Sequence, residues 1–420
     1  MAFVEGLLAM LHAIESDAIV IHEERCISVR NRNASCLRCV ETCASGALAH
    51  LEGQLRVDPE LCIGCGTCAT ACPTCAIELG NPSDDDLTSL IKRSIVATGG
   101  HPVIACEPAL VLAGSRRDAA VEKEWGTYSK RVSDGFAYDE AMVVSLPCLG
   151  RVDESALVGM AAYKASDVTL VCGDCGMCRY AAGGDMIRQV VDSACGMLGA
   201  FGSDLAVGLT SVLPDRVRGA GHGTTPESKG MSRRDFLQVA KDGSARVVEA
   251  ATKSERLVPW GDADVPAHAV PCKVDKSGSL SHFVPDRRLR LYNYLKHIGD
   301  PVASQVETRV IGAISIDGEK CNSCRMCAVF CPTGAIVKLD DDAMFGIVHR
   351  PSACVQCRLC ESICPEQAIA VSGLVPIGQF MGKEAICCMM ERPTWTPNRP
   401  TSMYDKLHSV LGEDLEMCMF

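Results

Sequence analysis

Cysteine spacing constrains this chain more strongly than any other feature of its sequence. Three segments share the spacing C-x2-C-x2-C-x3-C, and each copy ends just before an Ala-Ile pair. Thiolates at this spacing, carried on short turns, converge on one point and predict a bound metal centre. The three copies comprise Cys62, Cys65, Cys68 and Cys72, then Cys321, Cys324, Cys327 and Cys331, and finally Cys354, Cys357, Cys360 and Cys364.

A fourth copy is irregular. It has no cysteine three residues before its first one, where Asn33 stands. The sequence that leads into Cys26 parallels the sequence that leads into Cys321, so we predict that Cys26 supplies the missing thiol and that residues 27–35 form an inserted loop. The regular cysteines of this copy are Cys36, Cys39 and Cys43.

Together the four motifs resemble those of the two-cluster bacterial ferredoxins. The resemblance implies α+β ferredoxin-like domains at residues 17–82 and 312–373 and four [4Fe-4S] clusters. Alternating apolar residues around a turn predict a β-hairpin between the two motifs of each unit. In that family the fourth cysteine of each motif binds the cluster of the other motif. The implied ligand sets are Cys43, Cys62, Cys65 and Cys68; Cys26, Cys36, Cys39 and Cys72; Cys321, Cys324, Cys327 and Cys364; and Cys331, Cys354, Cys357 and Cys360.

Two alternatives concern these sites. Zinc also binds C-x2-C pairs. Its sites normally use two separated pairs, however, and not a C-x2-C-x2-C run with a proline after the fourth cysteine. If Cys26 is not a ligand, its site would hold a labile [3Fe-4S] cluster. Cys75 takes the position of Gly334 in the other unit, and we expect it to pack as a small apolar group.

The middle of the chain, residues 95–213, predicts an α/β domain with a parallel sheet. Its apolar runs alternate with amphipathic stretches, and three of the predicted strands end on cysteine. Since ligands gather at the carboxyl ends of parallel strands, these thiols are expected at one edge of the sheet. The candidate ligands are Cys106, Cys148, Cys172 and Cys175, with Cys178 as a substitute.

The segment from Cys148 to the C-x2-C-x2-C loop at Cys172 resembles the iron-sulfur delta subunit of methyl-viologen-reducing hydrogenase. The resemblance covers about residues 98–200 and implies a fifth cluster, [2Fe-2S] or [4Fe-4S], on a route between a hydrogenase or dehydrogenase and a heterodisulfide-reductase-like partner. A redox-sensing thiol site or plain packing are the alternatives. A helix is predicted at residues 181–200, directly after this loop, and its Cys195 is expected in the core.

The remaining segments predict connections and tails. Residues 1–16 predict an amphipathic helix, residues 214–311 a linker or docking segment with a docking helix at 232–237, and residues 374–420 a C-terminal strap with a helix at 403–411. No apolar run approaches the roughly twenty residues that span a membrane. We therefore expect a cytoplasmic protein that meets membranes only through a partner.

Charge and cysteine content narrow the class of protein. The formal charge of -11, with 52 acidic and 41 basic residues, argues against nucleic acid as a partner. Disulfide-rich secreted proteins are usually short and space their cysteines through loops, unlike this chain of 420 residues.

No nucleotide motif or catalytic motif accompanies the cysteines. The sequence thus predicts a non-catalytic electron-transfer subunit of an anaerobic multisubunit oxidoreductase, of the hydrogenase, dehydrogenase or heterodisulfide-reductase type. Its expected partners are catalytic or flavin-containing redox subunits and soluble ferredoxin. The alternatives are a redox enzyme that acts on a substrate or disulfide at the middle-domain cysteines, and a sensing or assembly protein.

Overall fold

The computed structural model describes residues 19–31, 33–51, 53–114, 138–178, 180–217, 280–341, 343–382 and 385–392. Within α-helical residues 111–114 it describes the backbone alone. Three predicted helices lie outside these ranges, at residues 1–16, 232–237 and 403–411. Cys272 and Cys418 also lie outside them.

The amino-terminal unit is a small α+β domain with two antiparallel strand pairs. Its elements are β1 (Ile19–Ile21), α1 (Ile27–Arg30), α2 (Arg38–Glu41), β2 (Leu48–Leu51), β3 (Gln54–Val57), α3 (Thr67–Ala71) and β4 (Ile77–Leu79). Strand β1 pairs with β4, and β2 and β3 form the predicted hairpin. The prediction of a loop at residues 27–35 is wrong in part. Its first residues form helix α1, in which the Arg30 N–H donates to the Cys26 carbonyl and closes a helical turn.

The middle domain has the predicted parallel sheet. Its elements are α4 (Asp84–Ala97), β5 (Val103–Cys106), α5 (Glu107–Gly114), β6 (Val143–Leu146), α6 (Glu154–Ala162), β7 (Asp167–Val171), α7 (Ala181–Ala200) and β8 (Ala206–Thr210). The strand order is β6-β5-β7-β8, with parallel neighbours throughout. Every residue of β5 is buried, as in a parallel strand covered on both faces.

This strand order creates a topological switch point. From β5 the chain moves to β6 on one side, and then to β7 on the other side of β5. The loops that follow β5 and β7 therefore leave in opposite directions and open a crevice at the carboxyl edge. Helix α4 begins before the expected boundary at residue 95, and its Leu87 and Ile91 are buried in the middle-domain core.

Residues 280–311 differ from the extended connector that the sequence predicted. They include α8 (Asp286–Ile298) and β9 (Gln305–Glu307). Helix α8 packs on α6, where the rings of Tyr163 and Tyr294 meet edge to face with centroids 5.4 Å apart. A Cβ at Gly159 would come within 2.9 Å of the Tyr294 ring, so this close packing depends on the glycine.

The carboxy-terminal unit repeats the plan of the amino-terminal unit and extends it. Its elements are β10 (Ala313–Ile316), α9 (Met326–Phe330), β11 (Ile336–Asp340), β12 (Phe345–His349), α10 (Leu359–Ser362), β13 (Ile369–Ser372), β14 (Leu374–Pro376), α11 (Ile377–Met381) and β15 (Ile386–Met389). Strand β10 pairs with β13, and β11 and β12 form the predicted hairpin. The expected strap is in part a sheet component, since β14 pairs with β9 and β15 with β12.

Partly buried ion pairs and hydrogen bonds join residues 280–311 to the amino-terminal unit and the middle domain. Arg287 of α8 donates to the carbonyls of Ala69 and Cys72 in the amino-terminal unit, at 2.8 and 3.0 Å, and lies 3.4 Å from the Asp153 carboxylate in the middle domain. Arg309 lies 2.6 Å from the Glu154 carboxylate. Among the helices described, none is both long and apolar enough to cross a membrane.

Candidate metal centres

The thiols of the amino-terminal unit form two groups. We call the group of Cys43, Cys62, Cys65 and Cys68 site I. Burial raises the pKa of Cys62, and the thiols of Cys65 and Cys43 raise it further. Burial and the thiols of Cys65, Cys39, Cys43 and Cys62 raise the pKa of Cys68, and of these thiols only Cys39 belongs to the second group. Cys43, from the first motif, thus lies among the first three cysteines of the second motif.

Site II consists of Cys26, Cys36, Cys39 and Cys72. Burial raises the pKa of Cys39 to about 12, and the neighbouring thiols of Cys72, Cys26 and Cys36 act in the same direction. Cys26 and Cys72 also pack together with Ala76 in one buried cluster. The structure therefore places Cys26 beside the three thiols that its irregular motif left without a fourth partner.

The carboxy-terminal unit contains two equivalent groups. Site III comprises Cys331, Cys354, Cys357 and Cys360, and site IV comprises Cys321, Cys324, Cys327 and Cys364. Burial first, and the Cys331 thiol with it, raise the pKa of Cys354 to about 11. Burial also raises the pKa of Cys324, and the thiols of Cys364 and Cys321 act in the same direction. Each group thus contains one cysteine from the other motif of its unit, as in the predicted crossed sets.

Left-handed turns shape three of the four motifs. Residues before and after the second cysteine of each regular motif have φ between 53° and 77°, which turns successive N–H groups toward the enclosed space. These residues are Gly64, Gly66, Ser323, Arg325, Gln356 and Arg358. The irregular motif departs from this pattern, because Leu37 has φ -121°.

Backbone N–H groups also approach the sulfur atoms directly. The Ala76 N–H donates to Cys72 Sγ at 3.2 Å, and the Ala368 N–H donates to Cys364 Sγ at 3.3 Å. Burial alone would raise the pKa of Cys43, but the Ser45 hydroxyl and nearby backbone N–H groups lower it below its usual value. Such donors stabilise thiolates, so the four thiol groups with their N–H donors fit [4Fe-4S] clusters.

In the middle domain, all five predicted cysteines line one cavity. It opens to solvent. Cys106 ends β5, Cys148 follows β6 and Cys172 follows β7, so the switch point gathers them at one edge. Cys175 and Cys178 come from the loop after β7. No three His, Cys, Asp or Glu side chains in the described part of the chain form a site for a single metal ion.

The beginning of α7 closes over this cavity. The predicted helix at residues 181–200 is confirmed, and the Tyr180 N–H in front of it donates to Cys178 Sγ at 3.4 Å. A Cβ at Gly183 would overlap Cys148 Sγ, and a Cβ at Gly184 would come within 2.8 Å of Cys175 Sγ. The two glycines therefore allow the thiols to approach the helix backbone.

We expect Gly183→Ala to disturb the middle-domain cavity selectively. The added methyl group would displace the Cys148 thiol and crowd the Thr67 side chain, which lies 3.2 Å from the new Cβ. Iron analysis after anaerobic purification should show a loss confined to iron beyond the four cubanes. Gly199→Ala on the same helix is the matched control, because a Cβ there meets no atom within 4 Å. Equal iron in both variants would contradict this expectation.

Four further cysteines in the described part of the chain fall outside these groups, namely Cys75, Cys195, Cys387 and Cys388. Cys75 is buried as expected, but it is not a purely apolar contact, since Arg287 Nε donates to its Sγ at 3.0 Å. Cys195 is exposed, and the expectation of a core position is wrong. Helix α7 turns Ala194 and Leu198 inward, and Cys195 lies on its opposite face.

Comparison with known proteins identifies both ends of the chain. A 4Fe-4S dicluster domain model matches residues 320–368, and a 4Fe-4S binding domain model matches residues 55–78. The first spans the motifs of sites III and IV, and the second spans the last motif of the amino-terminal unit. Iron and sulfur are therefore favoured over zinc.

Several relatives are ferredoxins. The 7Fe ferredoxin of Hydrogenibacillus schlegelii is 37% identical over 71 residues, which are 17% of this chain and 85% of that protein. The chain belongs to the ferredoxin family. The ferredoxin of Alicyclobacillus acidocaldarius is 46% identical over 56 residues, 13% of this chain and 72% of that protein.

The similarity covers only part of the chain. A ferredoxin of Methanocaldococcus jannaschii is 35% identical over 100 residues, which are 24% of this chain, and the chain spans 52% of that protein's length. No solved structure matches this chain. The two ferredoxin domain models leave the middle domain uncovered, so its resemblance to a hydrogenase delta subunit remains a prediction.

Proposed function

We propose that this ferredoxin-type electron-transfer protein is a subunit of an anaerobic multisubunit oxidoreductase. In this proposal sites I to IV each hold a [4Fe-4S] cluster, and the middle-domain cavity holds a fifth iron-sulfur cluster. The observation that carries it is the convergence of five thiols at the switch point of a parallel sheet, directly against the ligand loop of site I. A free-standing ferredoxin would have no need of this domain.

The residues around each site have three tasks. Cysteine thiolates would hold the iron, backbone N–H groups such as those of Ala76 and Ala368 would stabilise the sulfur charge, and apolar side chains would exclude water. When bound, iron-sulfur clusters accept and release single electrons over a wide range of potentials. The expected partners are catalytic or flavin-containing subunits and soluble ferredoxin.

Iron and acid-labile sulfide per chain test this proposal. Four cubanes predict about sixteen irons, and a fifth cluster adds about two to four. The double variant Cys172→Ser with Cys175→Ser should lose the additional irons and one EPR signal of the reduced protein. The control is Cys195→Ser, an exposed thiol on the helix that closes the cavity. About sixteen irons in wild type and in the double variant would remove the fifth cluster from the proposal.

A second candidate function is catalysis at the middle-domain cavity. It is favoured by the number of thiols, since five line a space where a cluster uses four, and by the opening to solvent. An iron left accessible there could bind a thiol, or reduce a disulfide to two thiols with two electrons delivered one at a time from the cubanes and two protons taken from solvent. Addition of a small thiol to the reduced protein should then shift the EPR signal that depends on Cys172 and Cys175. An unchanged signal would favour the electron-transfer role.

A further inference from the structure

The order of the sites in space differs from their order in the sequence. We infer that the five sites form one unbranched electron path, from the middle-domain cavity through site I, site II and site III to site IV. This inference rests on the proposed function. In this order the middle domain lies at one end of the path and does not bridge the two ferredoxin units.

The cavity adjoins site I through a single side chain. Thr67 Oγ1 lies 3.6 Å from Cys65 Sγ of site I. On its other side Thr67 packs against Gly150 and Gly183. A Cβ added at Gly150 would clash with the Thr67 hydroxyl, and one added at Gly183 would lie 3.2 Å from it. Gly183 in turn touches Cys148 Sγ. The Thr70 hydroxyl fixes this contact by donating to the Arg151 carbonyl at 3.1 Å.

Sites II and III meet across the interface of the two ferredoxin units. Ile27 and Ala34 of the amino-terminal unit form one buried apolar cluster with Leu359 of the carboxy-terminal unit. Cys36 of site II and Cys357 of site III pack against this same cluster. The two ligand loops thus share a contact from which water is excluded.

The links within each unit follow from the ferredoxin plan. Cys68 of site I and Cys39 of site II are buried in one core cluster. Cys360 of site III and Cys327 of site IV pack against the corresponding cluster of the other unit. Each unit therefore presents one site to the shared interface and the other away from it.

The ends of the path differ from its middle in exposure. Site II, in the middle, lies inside, with Cys26, Cys39 and Cys72 at most 9% exposed. At one end the middle-domain cavity opens to solvent. At the other end site IV borders a separate cavity with Arg325 and Met326, and Met326 is 38% exposed. Since electron transfer falls steeply with distance, external donors and acceptors should meet the middle-domain cavity and site IV.

Magnetic interaction between neighbouring reduced clusters tests this order. In EPR of the fully reduced protein, removal of site III by Cys357→Ala with Cys360→Ala should narrow the signals of both site II and site IV and leave site I unchanged. Removal of the cavity cluster by Cys172→Ser with Cys175→Ser should narrow the EPR signal of site I alone. If only the EPR signal of site IV narrowed in the variant without site III, the inferred order would be wrong.

A second variant covers the case in which the double alanine variant does not fold. Leu359→Ala keeps every ligand but loosens the contact between Cys36 and Cys357. It should retain the wild-type iron content and show a weaker interaction between sites II and III. Iron content below four cubanes in the wild-type protein would refute the proposed function, whereas full iron without any interaction between sites II and III would refute only the path.

Discussion

Cys26→Ser should remove iron from site II and leave the other sites loaded. Cys26 is 8% exposed and packs with Cys72 and Ala76, and the N–H groups of Val29 and Ser28 oppose the rise that burial causes in its pKa. These donors are arranged to stabilise a thiolate. We expect the loss of about one to four irons and, where three cysteines retain the rest, a [3Fe-4S] signal in the oxidised protein.

The matched control is Cys75→Ser. Cys75 is buried three residues after Cys72 and differs from Cys26 in that Arg287 donates to its sulfur at 3.0 and 2.9 Å. Its iron content should equal that of the wild-type protein. A loss of iron in the Cys75 variant, with full iron in the Cys26 variant, would mean that Cys75 is the fourth ligand of site II.

Cysteine spacing predicted the local grouping of thiols because the turns are short and their geometry is set within each motif. The hairpins and helix α7 were predictable for a similar reason, since their patterns of apolar residues are regular. Cys26 could be aligned only through its lead-in sequence. Its place beside Cys72 depends on the pairing of β1 with β4, which closes the unit across more than fifty residues.

Other features were not readable from the sequence. Strand β8 was missed because it lies at the sheet edge, is partly exposed and contains Gly208. Helix α8 was not recognised as part of the core because its inward face includes Arg288, which is 4% exposed and donates to the carbonyls of Ser352 and Pro351. A charged residue that is buried through long-range hydrogen bonds has no local signature.

Replacement of Arg287 by glutamine should strongly destabilise the assembly. The guanidinium donates to the carbonyls that end α3 and lies 3.4 Å from the buried Asp153 carboxylate. Removing one partner of a buried ion pair costs about 3–5 kcal/mol, because the other charge is left without compensation. The expected result is a fall of several degrees in the melting midpoint, measured by circular dichroism under anaerobic conditions.

The pH dependence separates the charge effect from lost packing. Burial would raise the pKa of Asp153, but Arg287 first, then the Ser155 hydroxyl, holds it below its ordinary value, so this pair stabilises the fold above the unfolded pKa and loses its effect as pH falls. In Arg287→Gln the Asp153 pKa should rise, and protonation then relieves the buried charge. The difference in free energy of unfolding between wild type and variant should therefore become smaller as the pH falls from 8 toward the raised pKa of Asp153.

Two controls complete this test. Arg287→Lys keeps the positive charge but loses the planar fork that binds Ala69, Cys72 and Cys75 together, so it should recover only part of the stability. Arg216→Gln removes a half-exposed arginine that lies 3.6 Å from Asp167 and should cost less than about 1 kcal/mol. A pH-independent loss in Arg287→Gln would show that its hydrogen bonds to the backbone, and not its charge, hold α8 against the amino-terminal unit.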